Sequence, residues 1–195
     1  MSFLCRSPGI KFYGMKLNEA SKSILDTFQR HLSGKRISLM FSGKIHTLFY
    51  PDTLFQVPFE LFLSVQSSDL NADDTKVFAI RGIHFESPDN GWKEIFIFEI
   101  YPTELDLNKV FEKYSVLNYK TAKNSDFLIH RIEYYCIPTE SGGALFAVLF
   151  VESEDEQILI SHHGFGNGLE LMLGKTLIDS YFKENPFGKK LVRCQ

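Results

Sequence analysis

The chain of 195 residues is short of the features that most often announce a function. It has three cysteines, Cys5, Cys136 and Cys194, odd in number and far apart, with no C-x-x-C pair. That spacing excludes a zinc ribbon or a thioredoxin-type motif and suits a reducing cytosol. Charge of one sign is scarce as well: 21 Lys and Arg against 24 Asp and Glu leave a net charge of −3. A protein that contacts phosphates needs a clustered basic face. The richest basic stretch here, Lys189, Lys190 and Arg193, reads as a solvated end, so no nucleic-acid partner is expected. No apolar run approaches the ~18 residues of a membrane-spanning helix. Phe3-Leu4-Cys5, ahead of Arg6 and Pro8, is too short for the core of a secretory signal. These absences together imply a soluble, cytoplasmic protein without membrane insertion.

What the chain does have is phenylalanine, 19 of them beside 8 Tyr and a single Trp. Phe has no polar handle and serves packing better than hydrogen-bonded recognition, so a thick, ring-filled core is expected. A hydrophobic fraction of 44% against 23% charged excludes a disordered or low-complexity chain. The length fits one domain, residues 1–195, large enough to bury its core without a metal or disulfide staple.

The spacing of Ile24, Leu25, Phe28 and Leu32 predicts a helix over 18–32, with Asn18 as its cap and Gly34 as its stop. Arg36 to Tyr50, broken at Ser42-Gly43, reads as two short strands around a tight turn. This N-terminal unit of residues 18–50 is expected to pack on a core of residues 51–185. Phe55 to Gln66 contains Pro58 and reads as an interrupted or edge strand, and the polar stretch 67–74 as a surface loop. Lys76–Glu86 and Trp92–Tyr101 form the clearest hairpin, around Ser87-Pro-Asp-Asn-Gly91. Thr103–Tyr114 reads as a helix with Asp106 in its cap. A second hairpin pairs 126–137 with 143–151, followed by a strand over 157–161. A last helix, capped by Asn167 with Glu170 three residues on, carries Leu169, Met172, Leu173, Leu177 and Tyr181.

Ile95-Phe-Ile-Phe98 and Leu145-Phe-Ala-Val-Leu-Phe-Val151 are apolar at every position, so each strand needs cover on both faces. With hairpins dominating, the expectation is an α+β domain: a mostly antiparallel sheet with helices on both faces, an α/β/α sandwich. The element order from Phe49 to Phe182 resembles the PsbP-like sandwich domains. Phe55-Gln-Val-Pro58 is similar to the Pro-ended strand near the start of that fold. Gln157–Ser161 and the helix to Tyr181-Phe182 are similar to its close. The resemblance implies a non-enzymatic accessory, assembly or chaperone-like role.

The most suggestive local feature is Ser161-His-His-Gly-Phe-Gly-Asn-Gly168. Its candidate ligand-binding residues are His162, His163, Gly164, Gly166 and Gly168, since the glycines let backbone N–H groups approach an anion and a following helix would add its dipole. Against this, three glycines and a capping Asn also make an ordinary tight connection. Adjacent histidines on an extended chain point to opposite faces and do not chelate one metal together. No H-x-H, H-E-x-x-H or G-x-S-x-G spacing occurs, so no metal, no cofactor and no catalytic residue is assigned. Cys136 is expected to be buried as a small apolar residue. Glu152 to Glu156 reads as a solvated turn, a cap on strand ends or an acidic rim. The expected function is a soluble, non-catalytic protein-interaction module, a bacterial accessory, chaperone or immunity-type factor whose partner is another protein. The alternatives are a small enzyme or anion-binding domain using the 162–168 loop, or a carrier of an apolar ligand.

Overall fold

A computed structural model describes residues 17–49, 54–67, 75–86, 94–139, 142–162, 168–186 and 188–193. The chain is α+β and its strands pair antiparallel, in two sheets where the sequence suggested one. The first sheet has the order β6-β5-β4-β1-β7, with β8 also paired to β1. It uses β1 (Lys35–Ser42), β4 (Glu60–Ser67), β5 (Lys76–Glu86), β6 (Glu94–Thr103), β7 (Ser115–Leu117) and β8 (Phe127–Leu128). The second has the order β13-β9-β10-β11-β12-β3-β2. It uses β2 (His46–Phe49), β3 (Leu54–Val57), β9 (Arg131–Thr139), β10 (Gly142–Val151), β11 (Gln157–His162), β12 (Leu169–Leu173) and β13 (Val192–Arg193). The helices are α1 (Leu17–Leu32), the single turn α2 (Val110–Lys113) and α3 (Lys175–Glu184).

The helix α1 lies in the central core and touches both sheets. Ala20, Ile24, Phe28 and Leu32, spaced at helical intervals, are fully buried there. The Phe28 ring meets Phe150 of β10 and Tyr134 of β9 at 6.3 Å each. His31, one turn on, meets Phe78 of β5 at 5.1 Å. Gly34, at φ +70°, ends the helix as its sequence position suggests.

The two-sided apolar strand over 145–151 is covered on both faces, as it must be, but one cover is the other sheet. Leu145, Val148 and Phe150 join the central core with α1 and the first sheet. Ala147, Leu149 and Val151 face the other way, under Ile178 and Tyr181 of α3. The outer face of the first sheet carries Phe41, Phe62, Val77, Ala79 and Tyr101, capped by Val110 and Tyr114 from the α2 segment. In the 95–98 strand only Phe98 has a described side chain, and it is fully buried.

Several local expectations change. The strands on either side of Ser42-Gly43 do not pair with each other: β1 pairs with β4 in one sheet and β2 with β3 in the other. The break at Pro58-Phe59 likewise carries the chain from β3 back into the first sheet as β4. Residues 103–114 are not one helix. The strand β6 runs on through Thr103, and a 3-10 turn at Leu107–Lys109, with the Asp106 carboxylate accepting the Asn108 N–H at 3.1 Å, leads into α2. Tyr101, the last residue of the expected hairpin strand, is 8% exposed inside β6. Both expected hairpins form, β5 with β6 and β9 with β10. The turn at 87–91 and the loop at 68–74 lie outside the described residues. Cys136 is buried as expected, yet it is disulfide-bonded, so the unpaired-cysteine argument for a cytoplasmic home no longer holds. Among the described residues no helix is long and apolar enough to cross a membrane.

Gly82 of β5 lies against the His162 side chain of β11 across the space between the sheets. A Cβ on Gly82 would stand 2.1 Å from Cε1 of His162, so only glycine lets the imidazole in. Gly82→Ala is therefore expected to cost roughly 1–3 kcal/mol in urea unfolding through overpacking. Gly82→Ala with His162→Ser should lose less than the two single variants summed, because the clash is shared. A pH dependence follows from α1. Burial first, then the Arg30 and Lys76 charges, hold the His31 pKa below its ordinary value. The unfolded chain then binds the proton more readily, so stability should fall as pH drops through roughly 6.5. Unfolding at pH 7.5 and 5.5 should show a smaller difference for His31→Gln than for the parent chain.

Candidate functional site

The glycine-rich loop does not lead into a helix. Leu169 to Leu173 pairs with β11 on one side and with β3 on the other, and helix α3 starts only at Lys175, after Gly174 with φ +86°. The Leu169, Met172, Leu173 spacing that suggests a helical stripe is a strand buried on both sides. The loop is thus the connection of two antiparallel neighbours, and the helix dipole proposed for an anion is not present at its end. His163, Gly164 and Gly166 lie outside the described residues, and so does Asn167. Gly168 is buried.

His162 is 1% exposed. Its ring stacks on Phe98 at 4.9 Å and leans on Phe146 at 5.5 Å, over Gly82. It faces the central core, packed between the two sheets. Its chain neighbour Ser161 points to the opposite face, as strand alternation requires.

On that opposite face the cross-strand register places Ser161, Glu170, Gln56 and His46 in one row across β11, β12, β3 and β2. Helix α3 lies beside this row. A cleft of 450 Å³ opens between them, lined by Leu54, Glu170, Met172, Leu177, Ser180, Tyr181, Glu184 and Asn185. A second cleft of 510 Å³, lined by Asp155, Leu173, Gly174, Lys175 and Thr176 together with Leu177 and Ser180, shares two residues with the first. The two make one trough along α3 with an apolar floor. Its described charges are Asp155, Glu170, Glu184 and Lys175, and the Lys175 ammonium is held by Glu154 at 2.6 Å. The trough is therefore acidic, the wrong sign for the anion expected at the neighbouring loop.

The arrangement is not a hydrolytic one. Ser161 and His46 stand three strands apart, roughly 14 Å at the usual strand spacing, too far for a proton to pass between them. Burial pushes the Tyr181 phenol up to about 12, the nearby Ser161 hydroxyl pulls the other way, and the Glu170 charge adds to the rise. Tyr181 stays a neutral phenol at physiological pH and is no base. No group of three metal-ligating side chains occurs among the described residues.

Other carboxylates are engaged within the fold. Glu156 accepts the Tyr119 hydroxyl at 2.5 Å and the Ala122 N–H at 2.6 Å, and Glu152 accepts the Leu128 N–H at 3.0 Å. The acidic turn thus fastens the 119–128 segment, the capping sense of the sequence reading. Glu133, buried in β9, takes Arg131 at 2.8 Å, Arg193 at 3.5 Å and the Tyr135 hydroxyl at 3.0 Å. On the first sheet, Glu60, Arg81 and Glu99 are register partners on adjacent strands. Arg81 donates to Glu99 at 2.7 Å and Glu60 at 3.3 Å, while Tyr101 donates to Glu60 at 2.6 Å.

Comparison with known proteins finds no matching family model, no matching curated protein and no matching solved structure. The site has to be judged on its own chemistry. Glu170 and Glu184, which give the trough its sign, are absent from the sequence-derived site because the helix reading placed Glu170 in a cap. The alternation in Leu169-Glu170-Leu171, stopped by Gly174, is the signal that identifies a strand there.

Removing the cation from the first-sheet cluster tests how tightly these acids are committed. Arg81→Met leaves Glu99, 3% exposed, without its charged partner. The expected loss is about 3–5 kcal/mol. Thermal unfolding of Arg81→Met against Arg81→Lys measures it, with Lys retaining part of the stability.

Proposed function

We propose that the chain is a non-catalytic protein-interaction module, of an accessory, chaperone or immunity type, that holds its partner in the trough along α3. The observation that carries this reading is the pairing of an apolar floor, Leu54, Met172 and Leu177, with the carboxylates Asp155, Glu170 and Glu184. The complementary occupant is a short basic segment of another protein, with one or two apolar side chains to set on that floor. The non-enzymatic role implied by the PsbP-like element order agrees with it. The enzyme and anion-binding alternatives draw less support, because His162 is enclosed between phenylalanine rings and the adjacent cleft is acidic.

A photo-crosslinking residue at Ser180, introduced in the native host, tests the proposal. One dominant adduct with another protein is expected, reduced at least about tenfold when Glu170→Lys and Glu184→Lys are combined. The same probe at Phe111, which is 68% exposed on the α2 segment, should give no such adduct. An adduct indifferent to charge reversal, or none at Ser180, removes the proposal. Stabilisation by phosphate, nucleotide or carboxylate ligands in thermal unfolding would support the anion-binding alternative instead.

A further inference from the structure

We propose that, until a partner arrives, the trough along α3 is filled by the basic tail of a second copy of this chain, so that copies associate head to tail. The inference rests on the reading of the trough as a seat for a basic segment, and it names the occupant that the chain itself supplies. Residues 189–193, Lys-Lys-Leu-Val-Arg, carry three cations and no acid, with two apolar side chains between them. That composition complements Asp155, Glu170 and Glu184 set around Leu54, Met172 and Leu177. The lengths agree as well. The tail spans roughly 14 Å through its 3-10 turn and strand, and the ten residues of α3 span roughly 15 Å.

The tail is presented outward on a fixed support. Gly188 opens the 3-10 turn Gly188–Lys190 so close to α3 that a Cβ there would stand 2.2 Å from the Tyr181 carbonyl oxygen. The Lys189 N–H donates to the Asn185 carbonyl at 3.0 Å, and Leu191 packs against the α3 cluster. Around that anchor Lys189, Lys190 and Arg193 are exposed, and Val192, 50% exposed, is the apolar side chain left for a floor. Arg131 joins Arg193 on the buried Glu133, so the edge formed by β9 and β13 keeps a surplus of positive charge. In the second sheet β13 is the first strand and β12 the fifth. At the usual spacing roughly 19 Å separates them, and β13, paired with β9, does not fold back onto its own floor. The trough of another molecule carries no such restriction. A tail-to-trough contact is heterologous, since the two surfaces differ, and it propagates as a ring or an open chain. Its small area places it in the weak, transient class, where charge sets the encounter and a tighter-binding partner displaces it.

The test uses the purified full chain. Sedimentation velocity over an about hundredfold concentration range should show reversible self-association that weakens as salt is raised. Lys189→Glu with Lys190→Glu, both exposed, should weaken it at least about tenfold, and so should Glu170→Lys with Glu184→Lys. Mixing the two variants should give a one-to-one complex that grows no further, because one supplies an intact trough and the other an intact tail. All four substitutions in one chain should restore self-association with the charges exchanged, which a merely misfolded variant would not do. A photo-crosslinking residue at Ser180 should link two copies of the purified chain, the adduct mapping to 189–193. A chain that stays monomeric over the whole range, or a tail variant that associates like the parent, would overturn the inference. If such a monomeric chain still yields the Ser180 adduct with another protein in the host, the trough reading stands and the self-docking alone falls.

Discussion

Burial of both faces of β10 is the constraint from which the rest of the structure follows. A strand that is apolar at every position from 145 to 151 must have a layer on each side. Here one side is met by α1 with the first sheet behind it, and the other by α3. Because strands alternate, the same requirement divides β11: His162 turns inward to fill the space left by Gly82, and Ser161 turns outward under Tyr181. The trough lies on the outward side, where α3 packs over β11 and β12 and leaves Glu170, Gln56 and His46 half-buried.

Charge is distributed by the same logic. A net charge of −3 is small, yet it does not mean an even surface. Glu99, Glu133 and Glu156 each take arginine, tyrosine or backbone donors within the fold, so their charge is directed inward. Those along α3 stand at the rim of an apolar floor with Lys175 turned toward Glu154. A neutral-looking composition thus leaves a locally acidic depression along α3, and a count of residues alone does not reveal it.

Much of the fold was legible where the signal is local. The α1 stripe with its Gly34 stop, the two hairpins and the need for cover on both sides of β10 all follow from short stretches of sequence. What could not be read was which strands meet across long separations. Ser42-Gly43 has the chemistry of a hairpin turn, but β1 finds its partner in β4 and β2 finds its partner in β3. The spacing of Leu169, Met172 and Leu173 satisfies a helix as well as a doubly buried strand, and pairing with β11 and β3 decides between them. That one ambiguity moved Glu170 from a helix cap into the wall of a cleft, so the neighbourhood of the 162–168 loop was legible as a point of interest while its electrostatic sign was not.

The chain crosses between the sheets at Ser42-Gly43 and returns at Pro58-Phe59, so the second sheet is assembled from the first third of the polypeptide and its last third. During synthesis β2 and β3 emerge early, yet Leu54 and Phe55 pair with Met172 and Leu171, made more than a hundred residues later. Until then the edge of β3 that faces β12 has no native neighbour. A nascent chain of this design carries an unfinished seam through most of its translation, and closing that seam is among the last events of its biogenesis.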